Sequence, residues 1–344
     1  MYALLYFINI ISNTEVKTLD NYSKKIKTID THTMGEATRI VLDGFPEIKG
    51  TTMMEKKEYV RDHHDHLRQL LMNEPRGHKD MFGSILVEPV TEGADLGVIF
   101  MDSGSYLNMC GHGTIGTVTM AVTKGLVEAK DVVKIDTPSG LIECFVTYEE
   151  GVVQSVAFQN VPAFVLHKQA PLALKDGTKV NVDVAFGGSF FGIVQAEQLG
   201  VKIDLADKFN IVAKAMELRD VINTQLDMVH PDLPAITTVD LIEITEKVAE
   251  NHYRNVVVFG DGQIDRSPCG TGTCAKMATL DLNDSEEIIQ ESIIGSKFIG
   301  KKLGTTKVHE HAAIKPMIKG SAWITGEHMF VLQPNDPYQQ GFSI

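Results

Sequence analysis

The 344-residue chain is 43% hydrophobic and 22% charged, an ordinary balance for a soluble globular protein, and it is long enough for two domains. Its formal net charge of −13 argues against nucleic acid or an anionic membrane as partner, since either needs a basic face. Four cysteines do not make a disulfide framework in a chain of this size and point to a reducing, cytoplasmic compartment.

In chain order, the first segment, MYALLYFINII, is apolar but lacks a basic leader and a small-residue cleavage site, and it is too short to span a bilayer. Residues 1–25 read as an extension outside the folded unit, with export through this segment as the alternative. No other segment approaches transmembrane length. Strands are expected at Thr38–Leu42, Ser84–Val87 and Gly97–Met101. Between the first two, Val60, His64, Leu67 and Leu71 follow helical spacing. On that helix the side chains of DHHDH, Asp62 to His66, spread over several faces, which suits a solvated surface better than a metal cluster. Further strands are expected at Val132–Ile135, Val153–Phe158, Val239–Ile244 and Val256–Phe259. A second helix should pass through Ile211, Ala215, Leu218 and Ile222.

The chain repeats itself. VIFMDSGSYLNMCGHGT (Val98 to Thr114) aligns with VVFGDGQIDRSPCGTGT (Val257 to Thr273) at a constant offset of 159 residues, with 7 of 17 positions identical. In each copy a β-rich run leads into a polar loop, the loop delivers Cys-Gly-x-Gly-Thr, and an apolar helix follows. Helices TIGTVTMAVTKG and TCAKMATLDL are apolar around most of their circumference, so each should lie at the centre of its own half. Two related α/β halves joined near FQNVPAF (Phe158 to Phe164) are the expected organisation.

A helix N-terminus presents unpaired N–H groups and a positive dipole end, which bind anions and lower the pKa of a neighbouring thiol. Two such ends facing each other would share one small anion, such as a carboxylate, with a thiol on either side. That arrangement suits inversion of a carbon next to a carboxylate. One face needs a base, the other an acid, and the roles exchange in reverse. Other readings fit parts of the pattern. Gly111, Gly113 and Gly116, with Asp136 downstream, satisfy a dinucleotide-binding spacing, although a cysteine there would crowd a pyrophosphate. Cys110, His112, Cys269 and Cys274 have zinc-ligand atom types, although Cys-x-His is tighter than usual ligand spacing. Merely buried thiols would leave the joint recurrence of Cys, two Gly and Thr unexplained.

The stretches IDTHTMGEATRIV, EKKEYV, EPRGHKDMFGS, YLNMCGHGTIG, FGGSFF and DRSPCGTGT, running from about Lys27 to the C-terminus, resemble the proline racemase family, which includes hydroxyproline epimerases. The resemblance implies two pseudo-symmetric mixed α/β domains, each wrapping strands around a central helix in the manner of proline racemase and diaminopimelate epimerase, with the active site in the cleft between them. The first domain would span 26–161, with a segment from about 329 to 344 returning to it, and the second 162–328. It further implies catalysis without cofactor or metal, a small imino acid as substrate and a homodimer as the assembly.

Carried over position by position, the resemblance makes Cys110 and Cys269 the acid/base pair. Backbone N–H groups of Gly111, His112, Gly270 and Thr271 would hold the substrate carboxylate. The side chains of His112 and Asp265 would receive the ring nitrogen. Phe82, Phe100 and Phe259 resemble the family's aromatic walls, a role that competes with plain core packing. Asp102 and Asp261 recur in the repeat without a catalytic match and are expected to serve loop structure. EPRGHKD is assigned to scaffolding, the spacing of Cys269 and Cys274 offers an oxidised pair as an alternative, and Cys144 carries no signal.

Two positions speak to subfamily. Dehydratase relatives carry threonine at the second cysteine, so Cys269 argues for racemisation. Leu241 falls where hydroxyproline epimerases carry a histidine that meets the ring hydroxyl; leaving that hydroxyl unpaired costs about 1–3 kcal/mol, which favours proline as substrate. The expectation is a proline racemase. A 4-hydroxyproline 2-epimerase, or a catalytically silent or secreted imino-acid-binding protein, are the alternatives.

Overall fold

Period-two alternation and β-branched residues make most of the chain sheet. The computed structural model describes residues 21–234 and 236–343. Most of the apolar N-terminal segment therefore lies outside the described residues, but Lys24 and Lys25, expected in the extension, already open the strand Lys24–Thr33. That strand buries Ile26, Thr28, Ile29, Thr31 and Thr33, and pairs antiparallel with Glu36–Asp43 on one side and Ala322–Leu332 on the other. The last pairing begins at Thr33 with Ala322, so the chain returns to its first strand from Ala322 onward.

The described strands join in one 18-stranded mixed sheet, and its topology repeats. Glu36–Asp43 runs parallel to Phe82–Val87, which pairs antiparallel with Leu96–Asp102, which runs parallel to Val132–Thr137. In the second half Phe190–Gln195, Leu241–Ala249, His252–Phe259 and Glu287–Glu291 follow the same parallel, antiparallel, parallel sequence. Strand His311–Gly320 ties the halves together by pairing with both Val152–Gln159 and Ala163–Ala173.

Helix α1 (Met53–Met72) starts at Thr52, whose hydroxyl accepts the Glu55 N–H, and packs Val60, Leu67 and Leu71 against Ile85 and Ile99 on the outer face of the first half. Helix α2 (Gly111–Thr123) has no Asp, Glu, Lys or Arg, only His112 as a titratable group, and is buried around nearly its whole circumference, as its composition requires. Helix α3 (Lys208–Gln225) covers the second half through Ile211, Ala215, Leu218 and Ile222. Helix α4 (Gly270–Ala278) is the buried counterpart of α2 and ends at Ala278, short of the run to Leu282 read from the sequence.

The glycines of α2 have a packing reason. A Cβ on Gly113 would lie 2.8 Å from the Phe82 ring, and one on Gly116 2.8 Å from the Thr31 hydroxyl. The dinucleotide-like spacing thus lets neighbouring strands approach the helix.

Candidate active site

Both recurring cysteines cap the helices they precede. The Cys110 thiol accepts the Gly113 N–H at 3.5 Å, and the Cys269 thiol accepts the Gly272 N–H at 3.4 Å. Short polar side chains cap helices routinely; here sulfur does so twice, at the same place in each repeat.

Between the helix ends lies a cavity of about 100 Å³, lined by both cysteines and by Gly111, His112, Gly270 and Thr271. Drug-sized ligands occupy roughly 300–1,000 Å³, so this space suits a single small molecule and leaves no room for a dinucleotide. Phe82, Leu241, Phe259 and Asp265 complete the wall, together with Asp102, Leu107 and Met109, which sequence reasoning did not assign to it. Phe100 is the exception among the expected site residues: it is fully buried behind Phe82, ring centroids 6.2 Å apart, and supports the wall from beneath. A larger groove of about 530 Å³, flanked by Lys57, Asn160 and His230, adjoins the cavity through Leu107, Met109 and Thr271 but reaches neither thiol.

His112 stands edge-on to Phe82, centroids 4.4 Å apart, with its Nδ1 3.3 Å from the Cys110 sulfur. Its backbone carbonyl accepts the Thr33 hydroxyl at 2.8 Å, which pins the first turn of α2 to the first strand. Burial depresses the imidazole pKa to about 3, so the ring is neutral at physiological pH. Opposite, Thr271 places its hydroxyl 3.7 Å from the Cys269 sulfur.

Asp265 keeps one carboxylate oxygen on the Ser267 N–H and hydroxyl, at 2.8 and 2.7 Å. Glu36, which no sequence pattern singled out, comes from the opposite half and accepts the Arg266 N–H at 2.7 Å. Burial first, then the charge of Asp265, pushes the Glu36 carboxyl well up, and burial likewise raises Asp265. Arg266 is paired in turn with Asp80 at 2.6 Å. The polar contacts of this loop are therefore assembled across the two halves, which no local spacing records.

The thiols differ from the sequence expectation. The helix ends act in the predicted direction, since the Gly113 and Gly272 N–H groups favour thiolate. Burial outweighs them, and the nearby Asp265 carboxylate adds to it, so both sulfurs are held well above the ordinary thiol range.

Asp102 accepts the N–H groups of Gly104 and Ser105, the loop role anticipated for it, while also facing the cavity. Cys274 lies apart from the cavity and accepts the Asn160 amide at 3.2 Å; all four cysteines are free thiols. Asp65, in the histidine-rich stretch, pairs with Arg68 at 2.6 Å, and His63 stacks on Tyr59. Among the described residues no group of three or more His, Cys, Asp and Glu side chains is arranged to hold a metal ion, and no helix is long and apolar enough to cross a membrane.

Fold and site together define a mixed α/β protein with two helix-capping thiols on one small cavity. Residues 28–343 match the proline racemase family. A proline racemase of Clostridioides difficile is 48% identical over 330 residues, covering 93% of this chain and 98% of the relative. A trans-3-hydroxy-L-proline dehydratase of Bacillus cereus is 40% identical over 329 residues, covering 93% and 98%. The crystal structure of a hydroxyproline epimerase from Agrobacterium vitis with bound trans-4-hydroxy-L-proline superposes with a TM-score of 0.85 at 29% identity, covering 94% of this chain and 97% of that one. The chain belongs to the proline racemase family.

Proposed function

We propose that this chain is an isomerase that interconverts L- and D-proline without a cofactor, using Cys110 and Cys269 as a two-sided acid/base pair. The observation that carries the reading is the pair of helix-capping thiols sharing one cavity of about 100 Å³. In this reading the cavity is the cleft between two domains, the first completed by the returning C-terminal strand.

The substrate carboxylate takes the backbone N–H groups at Gly111, His112, Gly270 and Thr271, and the ring nitrogen takes His112 and Asp265. One sulfur, as thiolate, removes the α-proton; the other, as thiol, delivers its proton to the opposite face. One thiolate and one thiol remain, with roles exchanged, ready for the reverse direction. The positive charge on the substrate nitrogen offsets the Asp265 carboxylate, which adds to burial in holding both thiols protonated, so the substrate itself lowers part of the cost of forming the thiolate.

Cys269 favours racemisation over dehydration, and Leu241 in the cavity wall favours proline over 4-hydroxyproline. The superposition with a hydroxyproline epimerase supports a second reading, 4-hydroxyproline 2-epimerisation. The four free thiols suit a reducing cytoplasm, and a homodimer is the expected assembly, to be checked by sedimentation. Polarimetry with L-proline and with trans-4-hydroxy-L-proline tests the reading, with Cys110→Ser and Cys269→Ser beside the parent. Loss of optical rotation with time only in the parent supports it. Inertness towards both substrates would leave an imino-acid-binding protein, and racemisation by either serine variant would remove the two-thiol mechanism.

A further inference from the structure

The two halves hold their cysteines differently. Cys110 has extended backbone, φ −148°, whereas Cys269 has φ +63°, in the left-handed region. A residue with a side chain stays there only where its surroundings impose it. Locally the Cys269 N–H donates to the Ser267 hydroxyl at 3.1 Å and the Cys269 carbonyl accepts the Thr273 hydroxyl at 2.7 Å. A further restraint lies behind α4. The carbonyl of Pro268, in the peptide leading into Cys269, accepts Asn255 Nδ2 at 2.8 Å. The same amide donates to Glu243 Oε1 at 3.2 Å, and that oxygen also accepts Gln290 Nε2 at 2.8 Å. Glu243, Asn255 and Gln290 are all fully buried. Glu243 Oε2 has no hydrogen-bond partner and would stand 3.0 Å from a Cβ on Gly272, the residue whose N–H caps onto the Cys269 sulfur.

The corresponding place in the first half is neutral. Lys276, buried beside Glu243, matches Thr117 in the repeat, and Thr117 simply shares a hydrogen bond with Ser84 at 2.9 Å. The network is thus an asymmetric addition to an otherwise duplicated scaffold, and buried polar groups of this kind hold position only when connected.

We propose that Glu243 and Asn255 are positioning residues for Cys269: they fix the Pro268–Cys269 peptide from behind α4, so that this thiol depends on a buried polar network for its aim and Cys110 does not. The proposal rests on the reading of Cys269 as one of the two acid/base groups.

The test uses the full chain carrying Asn255→Leu, which keeps the volume and removes the amide, with Asn255→Ala and Asn255→Ser as smaller replacements. Glu243→Gln, which keeps an acceptor for Asn255 and Gln290, is the conservative control. For each, kcat and KM for L-proline are measured, and iodoacetamide alkylation rates are resolved by peptide mass spectrometry at Cys110 and Cys269. Loss of the amide should lower kcat roughly tenfold or more with KM changed less than about twofold. It should also change the Cys269 alkylation rate roughly fivefold or more while Cys110 stays within about twofold, and Glu243→Gln should remain close to the parent in every measure. A folded Asn255 variant with parental kcat and an unchanged alkylation ratio would overturn the proposal, as would equal changes at both cysteines. Cys269→Ser fails separately: racemisation by that variant sinks the acid/base reading, whereas the alkylation ratio judges the positioning whatever the cysteine does.

Discussion

Gly111 and Gly270, the first residues of the two central helices, meet backbone to backbone. A Cβ on Gly111 would stand 3.2 Å from the Gly270 Cα, and one on Gly270 3.3 Å from the Gly111 Cα. Each glycine follows a cavity cysteine, so this contact sets how far apart the two sulfurs are held.

Backbone cannot swing aside as a side chain can, so Gly111→Ala should push the helix ends apart by a few tenths of an ångström. Alanine also favours a helix over glycine by about 1 kcal/mol, which offsets the strain. The expected outcome is a kcat/KM for proline lowered roughly tenfold with little change in Tm. Full activity in the alanine variant would show that the spacing of the helix ends does not matter.

Leu241 tests specificity. Leu241→His places a hydrogen-bonding group on the cavity wall where a ring hydroxyl would otherwise go unpaired. The ratio of kcat/KM for 4-hydroxyproline over proline should rise by roughly tenfold or more. A parent enzyme that already prefers hydroxyproline would favour the epimerase reading.

A flat acid probes the cradle. Removing the α-proton makes that carbon nearly planar and moves negative charge into the carboxylate, which two opposed helix ends favour over either tetrahedral enantiomer. Pyrrole-2-carboxylate imitates the shape without an α-proton. In calorimetry it should bind more tightly than L-proline and should shield both Cys110 and Cys269 from iodoacetamide. Binding no tighter than proline, with both thiols equally reactive, would contradict a shared cradle.

The Glu243 carboxyl gives a pH prediction of definite sign. Burial raises its pKa from 4.5 to about 7, against the opposing charge of Lys276 and hydrogen bonds from Asn255 and Gln290. Between those values the folded protein keeps a proton that the unfolded chain has lost. The group's contribution is therefore fully present below the unfolded value and is lost as pH rises through about 7. Glu243→Gln cannot ionise and escapes that loss. Its Tm relative to the parent should rise between about pH 5 and about pH 8. A difference that stays constant or shrinks would mean that the carboxyl does not titrate in this range.

Much of the site was legible because its parts are neighbours in the chain. A strand, a loop, Cys-Gly-x-Gly-Thr and a helix occupy one short stretch, and the same stretch recurs 159 residues later. Local rules for strands and helix ends place Cys110, Gly111, His112, Cys269, Gly270 and Thr271 without knowledge of the rest of the fold. Strands such as Lys297–Val308 (KFIGKKLGTTKV), rich in lysine and glycine, escaped the same reading because their pairing with His311–Gly320 outweighs weak intrinsic propensity.

By itself the sequence determined the duplication, the two thiols and the helix ends on which they sit, because each is encoded within a few residues. Tertiary structure alone decided that the halves meet at Gly111 and Gly270, and that Glu36 reaches across to Arg266. It also decided that Phe100 lies behind the wall and that Asn255 and Glu243 stand beneath Cys269. The protonation of the thiols belongs with these: the favourable helix-end field is a local property, but the burial that outweighs it comes from residues far apart in the chain.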